Sequence, residues 1–169
     1  LTLAALFMLS GRISDILGHR KVIYTGIIIF AIASLFCAIS NLSWQLISAR
    51  ILQGIGGALL IPSSLALLCS AFSQKEKGKA IGLNTAISSG FFIIAPFIGG
   101  VLTELLNWRY IFWINIPIAM LGLILVHVSV KKSQKEKEPM NLLKIIPFII
   151  GSSLLVITIM QAPQWHWLS

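Results

Sequence analysis

Long apolar runs alternate with short polar breaks along the whole chain. The runs cover Leu1 to about Leu17, about Val22 to Ile39, about Trp44 to Phe72, about Ala80 to Leu105, about Arg109 to Val130, and about Leu142 to Gln161. Each is close to the roughly 20 residues a helix needs to cross a hydrocarbon core about 30 Å thick. The pattern predicts an all-α fold, a polytopic transmembrane helix bundle. Residues 1–130 carry five of the runs, 131–140 form a polar linker, and 141–169 carry one more span.

Composition agrees with lipid as the main solvent. Hydrophobic residues make up 57% of the chain and charged residues 11%, with a mean hydropathy of +0.92. A soluble domain needs about a quarter of its residues charged to stay wetted. Leu1 opens inside an apolar run and Ser169 follows closely on another, so both ends are expected to be truncations; no cleavable signal peptide is read.

The net charge of +8 would suit nucleic acid, but its distribution does not. Arg12, Arg20 and Lys21, then Lys75, Lys77 and Lys79, then Lys131, Lys132, Lys135, Lys137 and Lys144 fall in every second polar break. That is the positive-inside pattern, which places those breaks in the cytoplasm and the turns at Asn41 and Asn107 outside. The expected surroundings are a lipid bilayer, with no nucleic-acid partner. Trp44, Trp108, Trp165 and Trp167 lie at the external ends as interfacial anchors.

Chemistry of the enzymatic kind is absent from the pattern. Cys37 and Cys69 are isolated in apolar runs and read as packing residues. His19 and His127 lie towards the inside and His166 towards the outside, so no metal site and no enzyme are expected. Gly82, Ala86 and Gly90 share one helix face, and Gly54 and Ala58 repeat that spacing. Small residues so placed permit close helix packing in lipid.

Polar and helix-breaking residues mark the informative stretches. Gly11 to Lys21 joins the first two runs so briefly that they must form a hairpin, and Gly18 suits a turn with positive φ. Asp15 sits at the membrane edge, where a carboxylate needs a cation or a helix N-terminus. Arg50 lies well inside the third run, followed by Gln53, Gly54 and further small residues. A guanidinium there costs a few kcal/mol and should face protein or water. Ala95 to Gly100 holds Pro96 with Gly99 and Gly100, a combination that bends a helix and lets a neighbour approach.

In order and position these stretches resemble the signature motifs of the Major Facilitator Superfamily, most closely the fourteen-helix drug:proton antiporters. Gly11, Asp15, Gly18 and Arg20 resemble the cytoplasmic gate motif, with His19 where Arg or Lys is usual. Arg50, Gln53 and Gly54 resemble the fourth-helix motif, whose Arg is associated with proton transfer. Pro96, Gly99 and Gly100 resemble the fifth-helix antiporter motif, with Ala95 and Phe91 replacing usual glycines. Trp108, Arg109, Asn115 and Pro117 resemble the start of the sixth helix, and Gln161 to Trp167 the outer end of the seventh.

The resemblance implies part of a transporter covering the second to seventh helices, in a bacterial cell membrane. It implies efflux of small hydrophobic or cationic organic compounds, with alternating access and proton antiport. The proton gradient would be the energy source, without a cofactor. The remaining half of the transporter, and a carboxylate from the first helix, would be required. Another Major Facilitator porter, a metabolite symporter or uniporter, stays open as an alternative, as does a nonfunctional remnant.

Overall fold

A computed structural model describes residues 10–11, 13–129, 151 and 158. In lipid each backbone N–H and C=O must be bonded internally, which a continuous helix achieves. Helices α1 (His19–Ile39), α2 (Ser43–Ala71), α3 (Lys77–Leu105), α4 (Tyr110–Trp113) and α5 (Asn115–Ser129) account for most of the described residues. Four stretches are long and apolar enough to cross a membrane: α1, α2, α3, and Tyr110–Val128 of the α4–α5 pair. The linker at 131–140, the run from Leu142 to Gln161, the closing motif to Trp167 and residue Arg12 lie outside the described residues.

Turn chemistry sets the boundaries. Residues 13–17 are helical, and Gly18 at φ 89° turns the chain into α1. The Gly18 carbonyl accepts from the N–H groups of Lys21 and Val22, so α1 starts at His19 rather than at Val22. Gln45 Oε1 accepts from the backbone N–H groups of Asn41 and Leu42 at 3.1 and 3.3 Å, capping the start of α2. In the opposite loop Ser73 Oγ donates to Glu76 Oε2 at 2.7 Å.

Proline divides the last span. Pro117 has no N–H for the Trp113 carbonyl, and the helix is interrupted between α4 and α5 at Ile114. Pro117 then falls in the first turn of α5, where no intrahelical donor is needed. Pro62 and Pro96, by contrast, lie inside α2 and α3, which run on past them.

Helix α1 is the centre of the packing. It lies against α2 over most of its length and against the α4–α5 span on another side. At the α1–α2 crossing Gly26 faces Gly56: a Cβ at Gly56 would stand 2.7 Å from the Phe30 nitrogen and 3.0 Å from the Gly26 oxygen. The close approach thus uses Gly26 and Gly56. The small-residue face of α3 meets no neighbour among the described residues at Gly82 or Gly90.

Two apolar clusters fill the bundle. Towards the Asn41 and Asn107 turns Cys37, Ala38, Ala49 and Phe112 pack with Leu46 and Trp108. Towards the opposite end Ile23, Ile27 and Ala119 pack with Leu60, Leu67 and Leu123. No residue of α3 is buried among the described residues, and Phe92 and Ile93 are about four-fifths exposed, at 80% and 78%. Apolar surface on that scale requires lipid or further helices against it.

Candidate functional site

Arg50 is the eighth residue of α2, roughly 10 Å into the helix at 1.5 Å per residue. Its Nη1 donates to Gln53 Oε1 at 3.0 Å, one turn further along the same helix. Gln53 is buried, and its Nε2 donates to Ser34 Oγ of α1 at 2.8 Å. Asn115 Nδ2 of α5 reaches the same Ser34 oxygen at 3.5 Å. The guanidinium also lies over the Phe112 ring, 4.7 Å from its centroid.

The three helices therefore meet at one polar knot inside an apolar bundle. Each buried amide has a partner, as it must where water is excluded. Arg50 is different. Of its five donors the described residues engage one, through Gln53, and the side chain remains exposed. Its remaining donors face out of the knot as the described residues form it.

A second cluster occupies the end of the bundle that carries Gly18 and His127. Arg20 Nη2 donates to the His127 carbonyl oxygen at 3.1 Å, and its guanidinium stands 5.8 Å from the Tyr24 ring centroid. Tyr24 Oη and His127 Nδ1 are 2.8 Å apart. Ser14 Oγ and His19 Nδ1 are 2.7 Å apart across the Gly18 turn. Gly11 lies against Pro62 of α2, where a Cβ would be 3.8 Å from the proline Cβ. Asp15 is half-buried beside these groups in sequence and forms no ion pair with the described residues.

At the opposite end Arg109 Nη2 donates to the Ser40 carbonyl oxygen at 2.7 Å and to Asn41 Oδ1 at 3.3 Å. This brings the two lysine-poor turns together at one end of the bundle, while Arg20 and His127 meet at the other. Pro96 is exposed on α3. A Cβ at Gly99 would stand 3.9 Å from Ile111 Cδ1, and Gly100 faces open space.

Among the residues expected from sequence, the structure joins Arg50 to Gln53 and Asn115 to the same knot. It leaves Pro96 and Gly100 apart from that knot. Sequence reasoning did not single out Ser34, Phe112, Tyr24 or His127 as partners. Tyr24 and His127 carried a readable signal, being polar groups at the same membrane end as Arg20. Among the described residues no three His, Cys, Asp or Glu side chains group as a metal site.

Membrane-length helices packed around a polar knot define a multi-pass membrane protein. The chain belongs to the Major Facilitator Superfamily, whose family model matches residues 1–168. It is 33% identical over 170 residues to the Methylenomycin A resistance protein of Bacillus subtilis, covering all of this chain and 36% of that protein. It is 34% identical over 171 residues to the Multidrug resistance protein Stp of Mycobacterium tuberculosis, covering all of this chain and 32% of that protein. Its fold matches a solved peptide transporter, POT, with a TM-score of 0.68 at 18% identity, over 99% of this chain and 37% of that one. The chain thus spans about a third of the length of the curated relatives it matches. With bacterial relatives and several apolar helices, it is a multi-pass protein of the bacterial cell membrane.

Proposed function

We propose that this chain supplies helices of a secondary transporter that exports drugs or toxic organic compounds in exchange for protons. Its work is translocation rather than covalent catalysis. The observation that carries the reading is Arg50: a cation at an apolar bundle, bonded to Gln53 and set over Phe112, with most of its donors not engaged by the described residues. The resistance proteins it resembles support the substrate class, small hydrophobic or cationic organic molecules.

Arginine stays protonated at any working pH. Its role is then to favour the ionised form of a nearby carboxylate, lowering that acid's pKa and easing proton release when substrate arrives. The acidic residues of the chain, Asp15, Glu76, Glu104, Glu136 and Glu138, all lie at the ends of spans or in loops. The proton-carrying acid therefore comes from another segment of the full-length protein. Alternating access would rock two helix bundles about a midplane site, with Asp15, Gly18 and Arg20 at the cytoplasmic gate.

The test is substrate-driven proton release from proteoliposomes of the full-length protein that carries this segment. Arg50→Ala is expected to abolish release while leaving folded protein in the membrane, and Arg50→Lys to retain part of it. Release in Arg50→Ala equal to that of the parent would remove Arg50 from coupling.

A further inference from the structure

Trp108, Arg109, Phe112 and Asn115 lie close together in sequence, yet each contacts a different group. Arg109 holds the α1–α2 turn through the Ser40 carbonyl oxygen and Asn41. Its guanidinium stands 4.6 Å from the Trp108 ring centroid. Trp108 meets Phe112 edge to face, with centroids 5.9 Å apart and planes at 89°. Phe112, 4% exposed, presents its ring to Arg50 at 4.7 Å. Cation and ring thus form a chain of contacts from the external turn to the buried knot: Arg109, Trp108, Phe112, Arg50.

We infer that Phe112 is a positioning residue for Arg50, and that Trp108 and Arg109 fix the Phe112 ring from the external turn. An arginine at this depth would otherwise extend its long stem towards the nearest headgroups. The ring's negative face attracts the guanidinium in competition with that route. Gln53 supplies a directional bond on one side, and the ring supplies a surface on the other. The two together select one placement of the cation. Phe112 itself cannot turn away freely, because Cys37, Ala38 and Ala49 pack around it and Trp108 closes its edge.

A purely structural Phe112 would be replaceable by leucine, which is apolar and buries comparably but has no ring face. The placement role requires an aromatic. The contrast can be measured without any transport, by phenylglyoxal modification of Arg50 in the membrane-reconstituted full-length protein, read by mass spectrometry with Arg20, which lies against Tyr24 instead, as internal reference. The Phe112 ring covers one face of the guanidinium and so shields it from the reagent.

Phe112→Leu is expected to speed Arg50 modification about fivefold, and Phe112→Tyr to leave it at the parent rate. Trp108→Leu, which loosens the ring without touching Arg50, is expected to give a smaller rise and serves if Phe112→Leu fails to insert. Equal rates in parent and leucine variants would overturn the inference. Its consequence for coupling rests on the proton-exchange reading above: in the full-length protein Phe112→Leu should lower the protons released per substrate exported, and Phe112→Tyr should restore them. An unchanged ratio in Phe112→Leu would leave Phe112 as packing alone. A parent that releases no protons would refute the exchange reading, while the labelling still decides whether the ring holds the cation.

Discussion

Gly26 and Gly56 place the backbones of α1 and α2 in direct contact, with the Gly26 oxygen 3.0 Å from where a Cβ at Gly56 would stand. No side chain intervenes that could move aside, because the nearest atom to that Cβ is the Phe30 backbone nitrogen at 2.7 Å. A methyl group at position 56 must push the helices apart. Gly56→Ala is expected to destabilise the chain by about 1–3 kcal/mol, the usual range for overpacking. Gly82→Ala, with none of the described residues within 4 Å of the added Cβ, is the matched control and should be neutral. Thermal unfolding of the two variants in detergent checks this, and equal melting would show that the α1–α2 approach is looser than described.

Arg109 joins the two external turns, and Arg20 joins the opposite helix ends. In a background with Cys37 and Cys69 replaced, Asn107→Cys should react with an impermeant thiol reagent added to intact cells. Gln74→Cys, in the lysine-rich loop, should react only after permeabilisation. Labelling of both from outside would reverse the positive-inside assignment.

Asp15 follows the proposed gate motif and sits near the Gly18 turn. In the full-length protein Asp15→Asn should keep its expression level and lose turnover, because the proposed gate would lose a charge-assisted hydrogen bond worth roughly 1.5–3 kcal/mol. Transport kinetics in vesicles provide the measurement. Unchanged kinetics would reduce Asp15 to a topology signal.

Tyr24 and His127 tie α1 to the end of α5 beside Arg20. Tyr24→Phe deletes the hydroxyl and keeps the ring beneath Arg20. The expected loss is about 0.5–1.5 kcal/mol, that of one ordinary hydrogen bond. Tyr24→Leu removes the ring face as well and should cost more. Identical unfolding of the two variants would exclude a contribution from the Arg20–ring contact.

The spans were legible because lipid imposes both their length and their composition. The run predicted from about Trp44 to Phe72 is observed as Ser43–Ala71, and the positive φ at Gly18 follows from the turn it makes. The partners of each helix face were less legible. Spacing every fourth residue singled out Gly82, Ala86 and Gly90, but it reports which residues share a face and not what that face meets. The backbone contact lies instead at Gly26 and Gly56. Phe112 could not be chosen from sequence either, being one of nine phenylalanines in an apolar chain. Ser34 gave equally little warning, since hydroxyls in helices often bond back to their own turn, as Ser63 does to the Leu59 carbonyl oxygen at 2.6 Å.

The arrangement of α1 between α2 and α5 has a consequence for how the chain is made. Helices leave the ribosome in the order α1, α2, α3, α4, α5, yet α5 packs on α1 while α3 between them buries nothing. The α1–α2 hairpin can close as soon as its second arm enters the membrane. Among the described residues the next span to emerge meets only the edges of α2 and α4, and the one after it packs on the first. Synthesis order and packing order differ, because the described residues leave α3 with far less of its surface against α1 and α2 than α5 has against α1.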